Sequence, residues 1–162
     1  MGDQSTMKKI LLWGWFEPDL ELVVEKLALN PSIEIVDRIG DSKLIEKSYL
    51  KFLYNPPDFG SFVLTRHDAA LTEFELVKFL HMFSREARSR GIDFHEQSNI
   101  AKSYFRYFLW LLTIKKVDHV LFSMAPIIGC DYLCYLAAKR LNINVTMCYQ
   151  SLFPNRFFYC LT

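Results

Sequence analysis

The sequence predicts an α/β protein with a doubly wound, parallel sheet of about five strands and helices on both faces. Short apolar runs without alternation recur along the chain, which is typical of parallel strands that are covered on both sides. Segments with apolar residues at helical spacing separate these runs. Alternation of strand and helix favours a parallel sheet, and a length of 162 residues suits one domain over 1–162.

The first three elements are a strand, a helix and a second strand. Ile10–Trp13 is a continuous apolar run that follows a short tail, residues 1–7, which we expect to be disordered. A helix is predicted over 18–30, because a proline suits its first position and Asn30-Pro31 ends it. Ile33–Ile39 is the predicted second strand.

The next segment is less regular and contains a predicted third strand. A helix is expected over Lys43–Tyr54, followed by a proline-rich break and the short strand Phe62–Leu64. Thr72 and Glu75 have the spacing of a capping box, which predicts a helix that begins there and ends near Gly91.

The last third of the chain has the clearest pattern. We expect an aromatic-rich helix over Ser98–Lys116, a fourth strand over Val117–Ser123 and a helix over Gly129–Leu141. Asn144–Tyr149 is the predicted fifth strand, and residues 150–162 are expected to form an aromatic tail without regular structure.

The expected strand order determines where a ligand would bind. A Rossmann-like order places the first strand beside the fourth, and ligands of such sheets bind beyond the carboxyl ends of the strands. The loops expected to meet there are Gly14–Asp19, Ser123–Gly129 and Gln150–Arg156.

Composition and missing motifs exclude several function classes. A formal net charge of +1 gives no electrostatic signal for nucleic acid. The four cysteines form no C-x-x-C pair, so we expect reduced core thiols and no metal site. Tyr104–Ile114 is apolar but too short to cross a membrane. Gly14-Trp15-Phe16 replaces the glycine-rich dinucleotide motif, and there is no P-loop.

Three carboxylates are the candidate catalytic residues. Glu17 follows the first strand and could act as a general base toward a sugar hydroxyl, or complement the helix dipole. Asp68 follows His67 after the third strand, where it could take part in acid–base chemistry or cap a turn. Asp131 lies in the first turn of a helix, near any ligand bound there, or serves the dipole.

The candidate substrate-binding residues lie on the loops at the same edge. The amides near Gly129 could hold an anion or a hydroxyl group, and Arg156 could bind a phosphate or carboxylate bidentately, or pair with an acid of the fold. The complete candidate binding set is Gly14, His67, Pro126, Gly129, Gln150, Ser151, Asn155 and Arg156.

The C-terminal part of the chain resembles a family of bacterial capsule and surface-polysaccharide biosynthesis proteins. The resemblance covers residues 118–157. It is carried by Asp118–Pro126, by Gly129–Ala138 with its Asp-Tyr pair, and by Leu141–Thr146, followed by Gln150-Ser151 and Pro154–Phe157. Relatives often have a histidine beside the proline that follows the fourth strand, where this chain has Ile127.

The resemblance implies the N-terminal, acceptor-side half of a glycosyltransferase of GT-B type, a fold with two Rossmann-like domains. The acceptor would be a saccharide or a lipid-linked saccharide. A missing C-terminal domain or a partner protein would hold the nucleotide-sugar donor, with residues 150–162 leading to it. The chain itself would bind no cofactor or metal. The implied location is the cytoplasm, at the inner face of the membrane, with peripheral association and no transmembrane segment.

Two other functions are considered. A non-catalytic docking module of a polysaccharide assembly system would use exposed aromatic residues in Tyr104–Trp110 and Phe153–Tyr159 as its interface. A flavodoxin-like or response-regulator-like domain is disfavoured, because a response regulator requires an aspartate where Thr65-Arg66 follows the third strand.

Overall fold

The computed structural model describes residues 7–15, 19–39, 62–85, 89–150 and 157–161. Within these ranges helices and strands are interspersed as in an α/β protein. In chain order they are β1 (Lys8–Trp13), α1 (Asp19–Ala28), β2 (Ile33–Ile39), α2 (Arg66–Phe83), α3 (Phe94–Ile114), β3 (His119–Phe122), α4 (Gly129–Arg140), β4 (Asn144–Gln150) and β5 (Phe157–Leu161). Among these elements, α2 is followed directly by α3 and β4 directly by β5.

The strands form one five-stranded sheet in the order β2-β1-β3-β4-β5. The first four are parallel to one another, and β5 runs antiparallel to β4. The pairing of β1 with β3 confirms that the first strand lies beside the strand predicted as the fourth. The antiparallel β5 falls in the tail for which no regular structure was predicted.

Alternate residues of β1 contact two different groups of apolar side chains. Leu11 and Trp13 belong to a large buried cluster that includes residues of α2, α3 and α4. Ile10 and Leu12 pack instead with Leu20 of α1 in a second cluster. Because successive side chains of a strand point to opposite faces, the continuous apolar run of β1 is buried from both sides.

The predicted third strand is wrong. Phe62–Leu64 has no regular structure, and the Val63 side chain is 76% exposed. Arg106 Nε of α3 donates a hydrogen bond of 2.7 Å to the Phe62 carbonyl. In a strand, the backbone N–H of a neighbouring strand would donate to this carbonyl; here a side chain does so. The helix predicted over Lys43–Tyr54 lies outside the described residues.

Helix α2 begins seven residues before the predicted start, because Thr65 and not Thr72 is its cap. The Thr65 hydroxyl accepts a hydrogen bond from Asp68 N, and the Asp68 carboxylate accepts one from Thr65 N, which is a complete capping box. Thr72 lies inside the helix, where its hydroxyl donates to the Asp68 carbonyl. The helix also ends at Phe83, before Gly91.

Helix α3 buries the aromatic residues that the docking hypothesis placed on the surface. It begins at Phe94 and is capped by Asp93, whose carboxylate accepts a hydrogen bond from Glu96 N. The aromatic residues at 104, 105, 107 and 108 are each less than a tenth exposed. Apolar residues at positions three and four apart thus belong to the core of the domain, whereas Trp110 is half-buried.

The thiols agree only in part with the expected reduced core. Cys130 and Cys134 are buried on α4, and burial raises the pKa of the Cys134 thiol well above its usual range, with Asp131 and Cys130 adding to the effect. Cys160 on β5 is exposed. All four are free thiols.

Candidate functional site

The loops after β1 and β3 meet at the carboxyl edge of the sheet, as expected. Ser123 N donates a hydrogen bond of 2.9 Å to the Trp13 carbonyl, and the Ser123 hydroxyl donates to the carbonyl of Gly14. Gly14 adopts a φ of 71°, and a Cβ there would lie 3.0 Å from Ser123 Oγ. A glycine is therefore favoured at this close approach, whose role is to join the two loops.

Asp131 is a buried partner of Trp13. The carboxylate residue is 5% exposed, and its Oδ1 accepts a hydrogen bond of 2.6 Å from Trp13 Nε1. The bond connects the first turn of α4 to the last residue of β1. Asp131 thus lies close to the edge of the sheet where a ligand was predicted to bind. Its carboxylate, however, is the buried hydrogen-bond acceptor for the indole N–H of Trp13.

Gly129 permits close packing between two helices. A Cβ at this position would lie 2.8 Å from Phe79 Cε2 and 3.1 Å from Phe83 Cβ, both on α2. Phe79 and Phe83 are fully buried, with ring centroids 5.0 Å apart in a stacked arrangement. The glycine predicted to approach a ligand instead lets the start of α4 approach α2.

Asp68 is held by groups of the fold and lies away from Asp131. Its Oδ2 accepts hydrogen bonds from Thr65 N at 3.0 Å and the Thr65 hydroxyl at 2.5 Å, and its Oδ1 accepts one from Arg140 Nε at 2.7 Å. Burial raises the pKa of Asp68, but the hydrogen bonds from Thr65 and the Arg140 charge outweigh this effect and lower it.

The structure does not bring the candidate carboxylates Asp68 and Asp131 together. Arg140, which binds Asp68, is the last residue of α4, whereas Asp131 is in its first turn. At a rise of about 1.5 Å per residue, these two positions on α4 are roughly 13 Å apart along the helix axis. His67 is exposed beside the buried Asp68, so the two neighbours do not present a common site.

A third buried carboxylate, Glu75, links α2 to α4 and was predicted only as part of a helix cap. The residue is 8% exposed, and its Oε2 accepts hydrogen bonds from the Tyr132 hydroxyl and from Lys78 Nζ, the latter at 2.7 Å. Burial raises the pKa of Glu75, but Lys78 and Tyr132 together lower it below the usual value. Burial and Glu75 raise the pKa of Tyr132.

A surface pocket of about 290 Å³ lies between the end of α2 and the loop after β3. Its basic side chains are Lys78, His81 and Arg85, and its apolar side chains include Ile127. The full lining is Val77, Lys78, His81, Met82, Arg85, Pro126 and Ile127. Of the predicted binding residues, Pro126 contributes to it.

The basic residues of this pocket were not among the predicted site residues. Lys78, His81 and Arg85 follow one another at spacings of three and four, which places them on one side of a helix. This spacing could have identified a basic helix face from the sequence. That the face lines a pocket depends on the loop after β3, whose position the sequence does not give.

The other predicted site residues cannot be placed in this geometry. Glu17, Ser151, Asn155 and Arg156 lie outside the described residues, as does the aromatic segment before residue 157. Gln150 is the last residue of β4, where its backbone pairs with Phe157 of β5.

The described residues contain no group of three or more His, Cys, Asp or Glu side chains arranged to hold a metal ion. Among the helices in the described ranges, none combines the length and the apolar character that crossing a membrane requires.

Comparison with known proteins gives no match: no family model, curated protein or solved structure is significantly similar to this chain.

Proposed function

We propose that the chain is a doubly wound, Rossmann-like domain that forms the acceptor-side, N-terminal half of a GT-B glycosyltransferase in bacterial cell-surface polysaccharide biosynthesis. The donor nucleotide sugar would bind to a C-terminal domain or a partner protein. The acceptor would be a saccharide or a lipid-linked saccharide, used in the cytoplasm at the inner face of the membrane.

The observation that carries the proposal is the reversal of strand order at β1. The chain passes from β1 to β2 on one side and returns to β3 on the other, so β1 and β3 flank a switch point of the sheet. Ligands of open α/β sheets bind in the crevice that forms at such a point. The contact of Ser123 with Gly14 marks this place in the chain.

The elements that carry the sequence resemblance support the same proposal. The segment from Asp118 to Gln150 folds as a strand, a helix and a strand, with a proline-containing loop between β3 and α4. This order of elements is the one that the resemblance implies. In this proposal the acceptor would lie at the loop of residues 123–129 beside Gly14.

The contacts of the carboxylates change which residue would perform chemistry. Asp68 and Asp131 accept hydrogen bonds from Arg140 and Trp13, so each contributes to the fold. Among the three candidates, the general base for the acceptor hydroxyl would therefore be Glu17, which follows β1 in the sequence.

The docking module remains a weaker alternative. One of its two proposed aromatic surfaces, Tyr104–Trp110, has its tyrosine and phenylalanine side chains in the core. Tyr159 on β5 is 74% exposed, but singly exposed apolar side chains are normal on a protein surface.

The test is an acceptor-binding experiment with a blocked loop. Met124 is 48% exposed in the loop after β3, and Leu29 is 77% exposed beyond the end of α1. A panel of oligosaccharides is screened against the chain by saturation-transfer NMR, and amide shifts are mapped for any that bind. We expect shifts at Gly14 and 123–129 that Met124→Trp abolishes and the control Leu29→Trp retains.

A second experiment, binding of nucleotide sugars, could contradict the proposed function. The chain is titrated calorimetrically with a panel of nucleotide sugars, and the proposal predicts no micromolar binding. Micromolar binding of a nucleotide sugar by this chain, or an absence of any saccharide that shifts the loop 123–129, would contradict the acceptor-side function.

A further inference from the structure

The pocket between α2 and the loop after β3 combines two kinds of surface. One part is aliphatic: Val77 is 65% exposed and Ile127 is 55% exposed, although both line a concave surface. The other part carries the ends of Lys78, His81 and Arg85. Exposed aliphatic side chains in a concavity mark a place where an apolar group can replace water.

The basic side chains differ in how far they are already engaged. Lys78 Nζ lies 2.7 Å from the carboxylate of Glu75, so its charge is partly matched. Within the described ranges, no carboxylate forms a salt bridge with Arg85. The planar guanidinium of an exposed arginine presents several donors and binds phosphate oxygens bidentately.

We propose that this pocket binds the phosphate or diphosphate ester of an aliphatic alcohol. Arg85 and His81 would donate to the phosphate oxygens, and Val77 and Ile127 would contact the hydrocarbon chain. The volume of about 290 Å³ is near the lower end of small-molecule sites, which span roughly 300–1,000 Å³. It therefore accommodates the phosphate and the first part of the chain.

The lining distinguishes this ligand from a free sugar and from a nucleotide. Among the described residues that line the pocket, none has a carboxylate or amide side chain. Sugar hydroxyls and the exocyclic amines of bases are recognised by such acceptors. The inference rests on the pocket alone and does not require the glycosyl-transfer activity proposed above.

The experiment measures which half of the ligand each side of the pocket binds. The full chain is titrated by calorimetry with geranyl diphosphate, inorganic pyrophosphate, geraniol and ADP at constant ionic strength. We expect geranyl diphosphate to bind at least tenfold more tightly than the others. Pyrophosphate lacks the hydrocarbon chain, geraniol lacks the phosphate, and the lining offers the exocyclic amine of ADP no carboxylate or amide acceptor.

Three variants then separate the contributions. Arg85→Gln is expected to weaken geranyl diphosphate and pyrophosphate binding about tenfold each. Ile127→Ser is expected to weaken geranyl diphosphate binding and leave pyrophosphate binding unchanged. Arg66→Gln, an exposed arginine at the other end of α2, is the matched charge control and should alter neither. Circular dichroism spectra verify that each variant is folded.

Four outcomes would overturn the inference. These are no binding of geranyl diphosphate, equal affinities for geranyl diphosphate and pyrophosphate, tighter binding of ADP, or equal losses in Arg85→Gln and Arg66→Gln. Because no step reads out sugar transfer, failure of this pocket leaves the acceptor experiment unaffected, and the converse also holds.

Discussion

Trp13 and Asp131, which are 118 positions apart, are joined by a buried hydrogen bond of 2.6 Å between the indole N–H and a carboxylate oxygen. Trp13 is the last residue of β1 and is 1% exposed. Its ring also packs edge-on against Phe108 of α3, with centroids 5.1 Å apart. One side chain therefore fixes the end of β1, an interior strand of the sheet, against two helices.

The first prediction concerns the loss of this acceptor. Asp131→Ala should lower the free energy of unfolding by about 1–3 kcal/mol, because it leaves a buried indole donor without this partner. Asp131→Asn should cost less, since its amide oxygen can still accept from Trp13. Chemical denaturation followed by tryptophan fluorescence measures both. Equal stability of Asp131→Ala and the wild type would contradict the assigned role.

The second prediction concerns acid stability at the Asp68–Arg140 pair. The pKa of Asp68 is lowered in the folded chain, since the hydrogen bonds from Thr65 and the Arg140 charge exceed the effect of burial. A carboxyl whose pKa is depressed by folding stabilises the fold fully above its unfolded pKa, ordinarily 3.8. That contribution is lost as the pH falls through the lower, folded pKa.

The corresponding measurement compares wild type and Asp68→Asn from pH 7 downward. At neutral pH we expect the variant to be less stable by about 1–3 kcal/mol. Below pH 3.8 the two stability curves should converge, because protonation of Asp68 removes the negative charge that the Asp68→Asn substitution also removes. The double variant with Arg140→Gln should be less destabilised than the sum of the single variants. Parallel curves over the whole range would refute the assignment.

The third prediction tests where α2 begins. Thr65→Ala removes the hydroxyl of the cap and should cost about 1 kcal/mol in the free energy of unfolding. Thr72→Ser keeps the hydroxyl that donates to the Asp68 carbonyl, so its cost should be limited to the loss of one buried methyl group. If the helix instead began at Thr72, Thr65→Ala would have little effect in the same denaturation experiment.

The pairing of β1 with β3 was expected from a Rossmann-like order, because the apolar run of β1 reflects burial on both sides and right-handed parallel crossovers allow few arrangements. The third strand was wrong because the apolar residues of Phe62–Leu64 satisfy the same local pattern but pair with no strand among the described residues. Strand β5 was missed because antiparallel pairing with β4 is a tertiary contact, which the aromatic sequence of Phe157–Leu161 does not determine.

The candidate site was less predictable than the fold for a related reason. A carboxylate that follows a strand or begins a helix has the same local sequence whether it contacts a ligand or a distant side chain. Asp131 has its partner on β1, and Asp68 has its partner on α4. Only the packing of α2, α4 and the sheet shows that these carboxylates have structural partners, which their local sequence does not reveal.

The last prediction concerns Gly129, where the helix start is packed against two phenylalanine rings. Gly129→Ala places a Cβ 2.8 Å from Phe79 Cε2, a separation that real Cβ contacts essentially never show, so the buried ring must shift. Overpacking of this kind should lower the free energy of unfolding by about 1–3 kcal/mol, despite the higher helix propensity of alanine.

A second substitution distinguishes this steric effect from a ligand role of the glycine. Phe79→Leu should destabilise the wild type by creating space in the core, but should cost less in the Gly129→Ala background, where that space accommodates the new methyl group. The four unfolding free energies form a double-mutant cycle with a favourable coupling. Additive losses would show that the two residues do not press on each other, and the close approach of α4 to α2 would then require another explanation.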